Sequence, residues 1–291
     1  MQVRKMNTNR TRLCSSRRLR RGSCFTNDFA GRALFLVPFF LFFSSSTHAQ
    51  TLRIAAAADL QYALPDLAAQ YEKQTGAKVA ITYGSSGNFF AQIQNGAPFD
   101  LFLSADVDYP QRLIDAGLAV SDSLQPYAVG HLVLWYPNDS PLNPHDGDLK
   151  TLLDPRVQKI AIANPEHAPY GRVAVAALRA AGLYDQLKPK LVLGENVSQA
   201  AQFVQSGSAQ AGLIALSFVF SPRMAGGKWV GVVAPDMDAL LLQAAVVPKS
   251  SPNKQAASSF LSFLKTTEAQ NILKHYGFGP ADQIPIGTAK P

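Results

Sequence analysis

The turn Gly84-Ser85-Ser86-Gly87-Asn88 sets two hydroxyl groups between two glycines. Hydroxyls can donate to an anion, glycines let backbone approach closely, and a helix beginning there adds unpaired N–H groups with a positive dipole end. The same residues also read as an ordinary helix N-cap on a flexible turn. Asp59 follows the apolar run Leu52 to Ala58 and reads as the N-cap of a helix reaching Tyr71. His131, His145, His167 and His275 show no paired spacing of the kind that holds a metal. Ser86, His167 and Asp100 supply the residue types of a hydrolytic triad, but Gly-Ser-Ser-Gly is not the Gly-x-Ser-x-Gly elbow. Neither a dinucleotide fingerprint nor a P-loop follows any strand.

The elements that would position these residues alternate along the chain, as in α/β architecture. Strands are expected at Leu52 to Ala58, Lys78 to Tyr83, Phe99 to Ser104, Leu132 to Tyr136, Lys159 to Ala163, Leu191 to Leu193, Ala211 to Ala215, Val230 to Val233 and Leu240 to Val247. Helical spacing covers Asp59 to Tyr71, Asn88 to Gln94, Tyr109 to Ala116, Tyr170 to Ala181, Val197 to Gln205, Lys254 to Thr266 and Glu268 to Tyr276, with a single turn at Leu149 to Leu153 and a loop at Ser140 to Gly147. The strands ending at Ala58, Tyr83 and Ala163 each release into a polar turn that opens a helix. Several helix N-termini would therefore gather at the carboxyl ends of a sheet, where open α/β sheets bind ligands. Such a gathering makes an anion site without lysine or arginine, and a small oxyanion is the ligand class it suggests.

Of the 291 residues, 47% are hydrophobic and only 16% charged, which excludes a disordered or coiled-coil chain. The formal charge of +7 comes from the first 49 residues, which hold nine basic side chains and only Asp28 as an acid; the remainder carries −1. A nucleic-acid surface is not implied. The basic opening, the apolar run Ala33 to Phe43 and Thr47-x-Ala49 read as a secretory signal peptide cleaved near Ala49. That run is too short to span a bilayer, which takes roughly 20 residues. Cys14 and Cys24 both fall in this leader, so the exported form has no disulfide, cysteine nucleophile or thiolate metal site.

Seven segments, in order, resemble the molybdate-binding proteins of bacterial ABC uptake systems, which are type II periplasmic binding proteins. They are Ala55 to Leu60 (AAAADL), Tyr83 to Gly87 (YGSSG), Ala91 to Pro98 (AQIQNGAP), Asp100 to Asp106 (DLFLSAD), Ala163 to Gly171 (ANPEHAPYG), Glu195-Asn-Val197 and Tyr276-Gly-Phe278. The resemblance runs from about Leu52 to Phe278. It implies two α/β lobes, each a mixed sheet flanked by helices, joined by two hinge crossings near Val129 to His131 and Ala244 to Val247. Lobe one would be residues 50–129 plus 245–291, and lobe two residues 130–244.

The resemblance also implies a ligand, molybdate or tungstate, held in the cleft by short hydroxyls and main-chain amides at helix starts, with no other cofactor and with molybdenum present only within the bound oxyanion. Position by position, the contacts fall on Asp59, Ser86, Tyr170 and Val197, with Ala58 and Ser85 beside them. The family's late pocket tyrosine falls at Ala215, and Tyr170 would replace its hydroxyl. Where the family commonly has a serine, Asp59 either caps the first helix or accepts a hydrogen bond from a protonated ligand such as phosphate. The implied function is capture of the oxyanion in the periplasm by a monomer and delivery to the membrane subunits of an ABC permease, without covalent chemistry. Readings left beside it are a sulfate or phosphate binder, an exported hydrolase and a receptor domain that reports the ion to a membrane sensor.

Overall fold

Five strands build the first sheet, in the order β2 (Lys78–Gly84), β1 (Thr51–Ala57), β3 (Leu101–Ser104), β10 (Leu242–Val246) and β4 (Gln125–Val129). The second has the order β7 (Leu191–Gly194), β6 (Ile160–Ala163), β8 (Ala211–Ala215), β5 (Leu132–Tyr136) and β9 (Lys228–Gly231). The computed structural model describes residues 51–144, 148–232 and 241–283. The expected signal peptide, part of the loop ending at Gly147, and Val233 and Leu240 lie outside them.

Within each sheet three strands are parallel and joined by right-sized α crossovers: β1 pairs with β2 and β3, and β6 with β7 and β8. The fourth strand arrives from the other sheet and runs antiparallel, β10 against β3 and β5 against β8. The chain crosses first between Val129 and Leu132 and returns before Leu242. All of β10 pairs in the first sheet, so the second crossing lies upstream of the expected 244/245 boundary.

Among the described residues eight α-helices flank the sheets: α1 (Ala63–Thr75), α2 (Ser86–Gln94), α3 (Asp108–Asp115), α4 (Pro169–Ala180), α5 (Tyr184–Leu187), α6 (Val197–Gln205), α7 (Lys254–Leu264) and α8 (Thr267–His275). Strand β1 is buried on both faces, as a central parallel strand must be. Leu52, Ile54 and Ala56 pack in the cluster under α1, α7 and α8, while Ala55 faces the cluster of Phe89, Phe90 and Ile93 from α2. The second lobe has one continuous core, which reaches across the hinge to Ala57, Ala58 and Ala105.

One strand escaped the periodicity. β4 contains Pro126, which cannot donate to a ladder and argues against a strand. It is tolerated because β4 is an edge, and its partner β10 shifts register between Gln243 and Ala244. Among the described residues no helix is long and apolar enough to cross a membrane.

Candidate functional site

The two sheets point their equivalent strand ends at one cleft. After β1 the chain enters a 3-10 turn, Ala58–Gln61, and after β2 it enters α2. After β6 it passes through Asn164 to Ala168 into α4, and after β7 through Glu195 and Asn196 into α6. These four starts enclose a small cavity lined by Ala58, Asp59, Ser85, Ser86, Tyr170 and Val197, together with Ala57, Gly84, Ala105, Ala168, Pro169 and Asn196. With about 10 Å³ of free space it lies far below the roughly 300 Å³ at which clefts for organic ligands begin. All six residues singled out in the sequence lie on this one wall, and none of the lining side chains is basic.

The two serines divide the work of the turn. Ser85, and not Ser86, is the N-cap of α2, its Oγ accepting the Asn88 N–H at 3.3 Å. Ser86 is the first helical residue, and its Oγ accepts the Ala105 N–H at 3.0 Å, which leaves its own proton to donate. On the facing lobe, Asn196 caps α6 by accepting from Ser198 N–H at 3.0 Å and Gln199 N–H at 3.1 Å. Pro169 at the start of α4 has no N–H to satisfy. The N–H groups of Ser86, Tyr170 and Val197 are first-turn donors that no acceptor among the described residues takes.

Asp59 departs from the expectation of a cap. It sits inside the 3-10 turn, whose N-cap residue is Ala57, and α1 begins four residues later. Its side chain turns into the space between the lobes instead, fully buried. Oδ2 accepts from the Tyr170 hydroxyl at 3.2 Å and from Gln243 Nε2, while Oδ1 has no hydrogen-bond partner of normal geometry among the described residues. Ser217 donates to the Asp59 carbonyl at 2.7 Å. Burial raises the carboxyl from 3.8 to about 6, against the pull of Gln243, Tyr170 and the main-chain N–H groups of Asp59 and Leu60. Burial and then the Asp59 charge push the Tyr170 phenol upward as well. With its hydroxyl committed to Asp59, Tyr170 offers the cavity its main-chain N–H. Ala215 closes β8 as a buried residue.

Residues with no motif complete the site. Gln243 is the polar member of an otherwise apolar β10, and its Oε1 accepts from the Tyr127 hydroxyl at 2.7 Å. A buried amide in an apolar run requires partners, and that was the available signal. Asp106, 2% exposed, receives Arg172 from α4 across the cleft, with Ser104 Oγ donating at 2.9 Å. Arg172 also donates to the Tyr109 hydroxyl at 3.2 Å. Burial raises the Asp106 carboxyl to about 6 despite the guanidinium. At the rim, Gly87 N–H meets the His167 carbonyl at 2.9 Å and Asn88 donates to Glu195 at 3.0 Å. The lobes are thus closed on each other.

Two glycines permit that closure. A Cβ on Gly87 would press into His167 and the Tyr109 hydroxyl, and one on Gly130, at the first crossing, would meet the Tyr170 hydroxyl and Gln243. The hydrolytic triad does not assemble. His167 Nδ1 lies 3.0 Å from Ser85 Oγ, whereas Asp100 is engaged by Arg53, Ser251 and Asn253. Burial alone would raise Asp100, but those hydrogen bonds, led by Arg53, hold it below the usual carboxylate range. Among the described residues no group of three or more His, Cys, Asp or Glu could hold a metal ion.

Comparison with known proteins places this geometry. Residues 52–279 match the family model described as bacterial extracellular solute-binding protein. The molybdate-binding protein ModA of Rhodobacter capsulatus is 38% identical over 77% of this chain and 86% of its own length. A putative ABC transporter substrate-binding lipoprotein, YvgL, of Bacillus subtilis (strain 168) is 32% identical over 78% of this chain and 86% of its own. The solved periplasmic molybdate-binding protein of Azotobacter vinelandii superposes with a TM-score of 0.72 at 36% identity, covering 78% of this chain and 98% of that one. With its two mixed sheets, its helix starts gathered between them and its match over residues 52–279, the chain belongs to the bacterial extracellular solute-binding protein family.

Proposed function

We propose that this chain captures molybdate, and tungstate with it, in the inter-lobe cavity outside the cytoplasmic membrane and delivers it to the membrane subunits of an ABC permease. One observation carries the reading: Ser86, Tyr170 and Val197, whose first-turn N–H groups have no protein acceptor, line a single small cavity with no basic side chain. Neutral donors suffice for a dianion because hydrogen bonds to a charged acceptor are about twice as strong as neutral ones, and a desolvated cavity strengthens them further. The names of the relatives from Rhodobacter and Azotobacter supply the ion, and that of the Bacillus relative the transport system.

In this reading Ser86 gives its hydroxyl and N–H, Tyr170 and Val197 give N–H groups, and Ala58 and Ser85 shape the wall. Nothing is covalently changed. Binding draws the lobes together by hinge motion, and the permease recognises the closed form. The protein acts as a monomer, exported by its leader and cleaved near Ala49.

Calorimetry on residues 50–291 tests this directly. Molybdate and tungstate bind tightly, sulfate and phosphate weakly, and Ser86→Ala weakens molybdate by about 1.5 to 3 kcal/mol while leaving the fold intact. Unchanged affinity in that variant would remove Ser86 from the pocket. A second reading, phosphate, is favoured by the Asp59 carboxylate on the cavity wall, which could accept from a protonated ligand; competition between the two ions separates them.

A further inference from the structure

Among the described residues Asp59 is the one carboxyl that lines the cavity. In the reading above it would face a dianion in a space from which water is largely excluded, where like charges repel strongly. No lysine or arginine on the wall offsets that repulsion. The guanidinium of Arg172 is already engaged by Asp106 and Tyr109.

The hydrogen bonds of Asp59 distinguish its two oxygens. The Tyr127 hydroxyl stands 2.7 Å from Gln243 Oε1 and 3.1 Å from the Ser104 carbonyl, and Gln243 Nε2 points to Asp59. Oδ2 therefore sits between two donors and is an acceptor. Oδ1 is buried and makes no hydrogen bond of normal geometry among the described residues, although the main-chain N–H groups of Asp59 and Leu60 lie close enough to favour the charged carboxyl. As an ionised oxygen it would be an unsatisfied buried charge; as O–H it would be a donor in want of an acceptor.

Resting on the oxyanion reading of this cavity, we propose that Asp59 binds as a neutral carboxylic acid, donating Oδ1–H to the ion, so that each dianion captured draws one proton into the cavity. The ion supplies the missing acceptor, and the proton removes the repulsion.

Burial already lifts the carboxyl to about 6, which shortens the step to protonation although the group is still ionised at about pH 8 before the ion arrives. The titratable groups that face it are the Tyr170 phenol from α4 and the Tyr127 phenol from β4, both pushed upward by burial and so neutral. β10 and the 3-10 turn Leu216–Phe218 contribute only Gln243 and Ser217, which do not titrate. Asp106, whose charge Tyr127 also feels, is held by Arg172, and His167 lies on the Ser85 hydroxyl. The linkage runs one way: a group whose affinity for protons rises on binding makes binding weaker as pH rises.

The test is isothermal titration of residues 50–291 with sodium molybdate, a dianion throughout, at about pH 8 in two buffers of different ionisation enthalpy, repeated from about pH 7 to 9. The expected result is uptake of close to one proton per ion and a loss of affinity approaching tenfold per pH unit. Asp59→Asn, whose amide supplies a permanent donor, binds with no uptake and a flat pH profile. Gln243→Met, which removes a donor to Oδ2, moves the onset of the loss to higher pH.

Binding without proton uptake in the unaltered protein overturns the proposal, even if neither variant folds. So does uptake that persists in Asp59→Asn, which would place the proton on another group such as His167. Phosphate bound in preference to molybdate, with no uptake, would show Asp59 acting as an ionised acceptor and also overturns it. Absence of molybdate binding at every pH overturns the oxyanion reading first, and the proton with it.

Discussion

The two lobes are built to one plan and equipped differently. In each, three parallel strands are completed by an antiparallel strand from across the hinge, and in each the first two parallel strands end at the cleft. Lobe one brings the buried acids to the closure, Asp59 and Asp106, with Gln243 and Ser104 donating to them from the same lobe; lobe two brings the side chains that donate across the cleft, Tyr170 and Arg172. Their helix starts differ too. The serine cap of α2 satisfies one N–H, whereas the asparagine cap of α6 satisfies two. Repeating a fold thus gives two positive helix ends per lobe, and the side chains decide which lobe supplies charge and which neutralises it.

Breaking the acid-to-donor pairing gives the largest effect. Arg172→Ala leaves Asp106 buried without its cation and destabilises the protein by about 3 kcal/mol, the lower end for a buried pair because Arg172 is partly exposed. Urea unfolding measures the loss, and Asp106→Asn in the same chain recovers part of it. An unchanged midpoint for Arg172→Ala would show that closure does not depend on this pair.

Asp59→Asn sharpens the comparison with the opposite sign. The buried carboxyl stands at about 6 when folded against 3.8 ordinarily, so the folded protein holds its proton more tightly than the unfolded chain does. Below about pH 3 both states are protonated and the carboxyl costs nothing. Between there and about pH 6 stability falls, and above that the cost is full, on the order of 3 kcal/mol. The asparagine variant should melt higher than the parent at neutral pH and equally near pH 3. Equal melting at both would mean that Asp59 is solvated.

The smallest effect contrasts the caps. Asn196→Ala should cost about 1 to 2 kcal/mol and Ser85→Ala about 1, in the order of the N–H groups each satisfies. The reverse order in thermal unfolding would mean that the His167 contact, and not the cap, is what Ser85 contributes.

The cavity wall was legible because its signals are local. A polar turn after an apolar run marks a helix start, and Ser85, Ser86, Tyr170 and Val197 all lie at such starts. What stayed hidden depends on pairing over long separations. Asp59 reads locally as a cap, and only the arrival of Gln243, 184 residues later, and Tyr170 turns it toward the cleft. Arg172 and Asp106 carry no motif and meet only when the lobes close. β4 was concealed by Pro126, since the edge position that excuses a proline is a property of the sheet.

The exchanged strands have a consequence for the order in which the molecule is finished. All five strands of the second sheet lie within the continuous stretch Leu132–Gly231, while the first sheet has a gap between β3 and β4 until Leu242–Val246 has been made. The lobe begun first at the amino end is therefore completed last. A chain truncated just after β9 would hold one whole sheet, the later one, tethered to an earlier one still missing its inner strand.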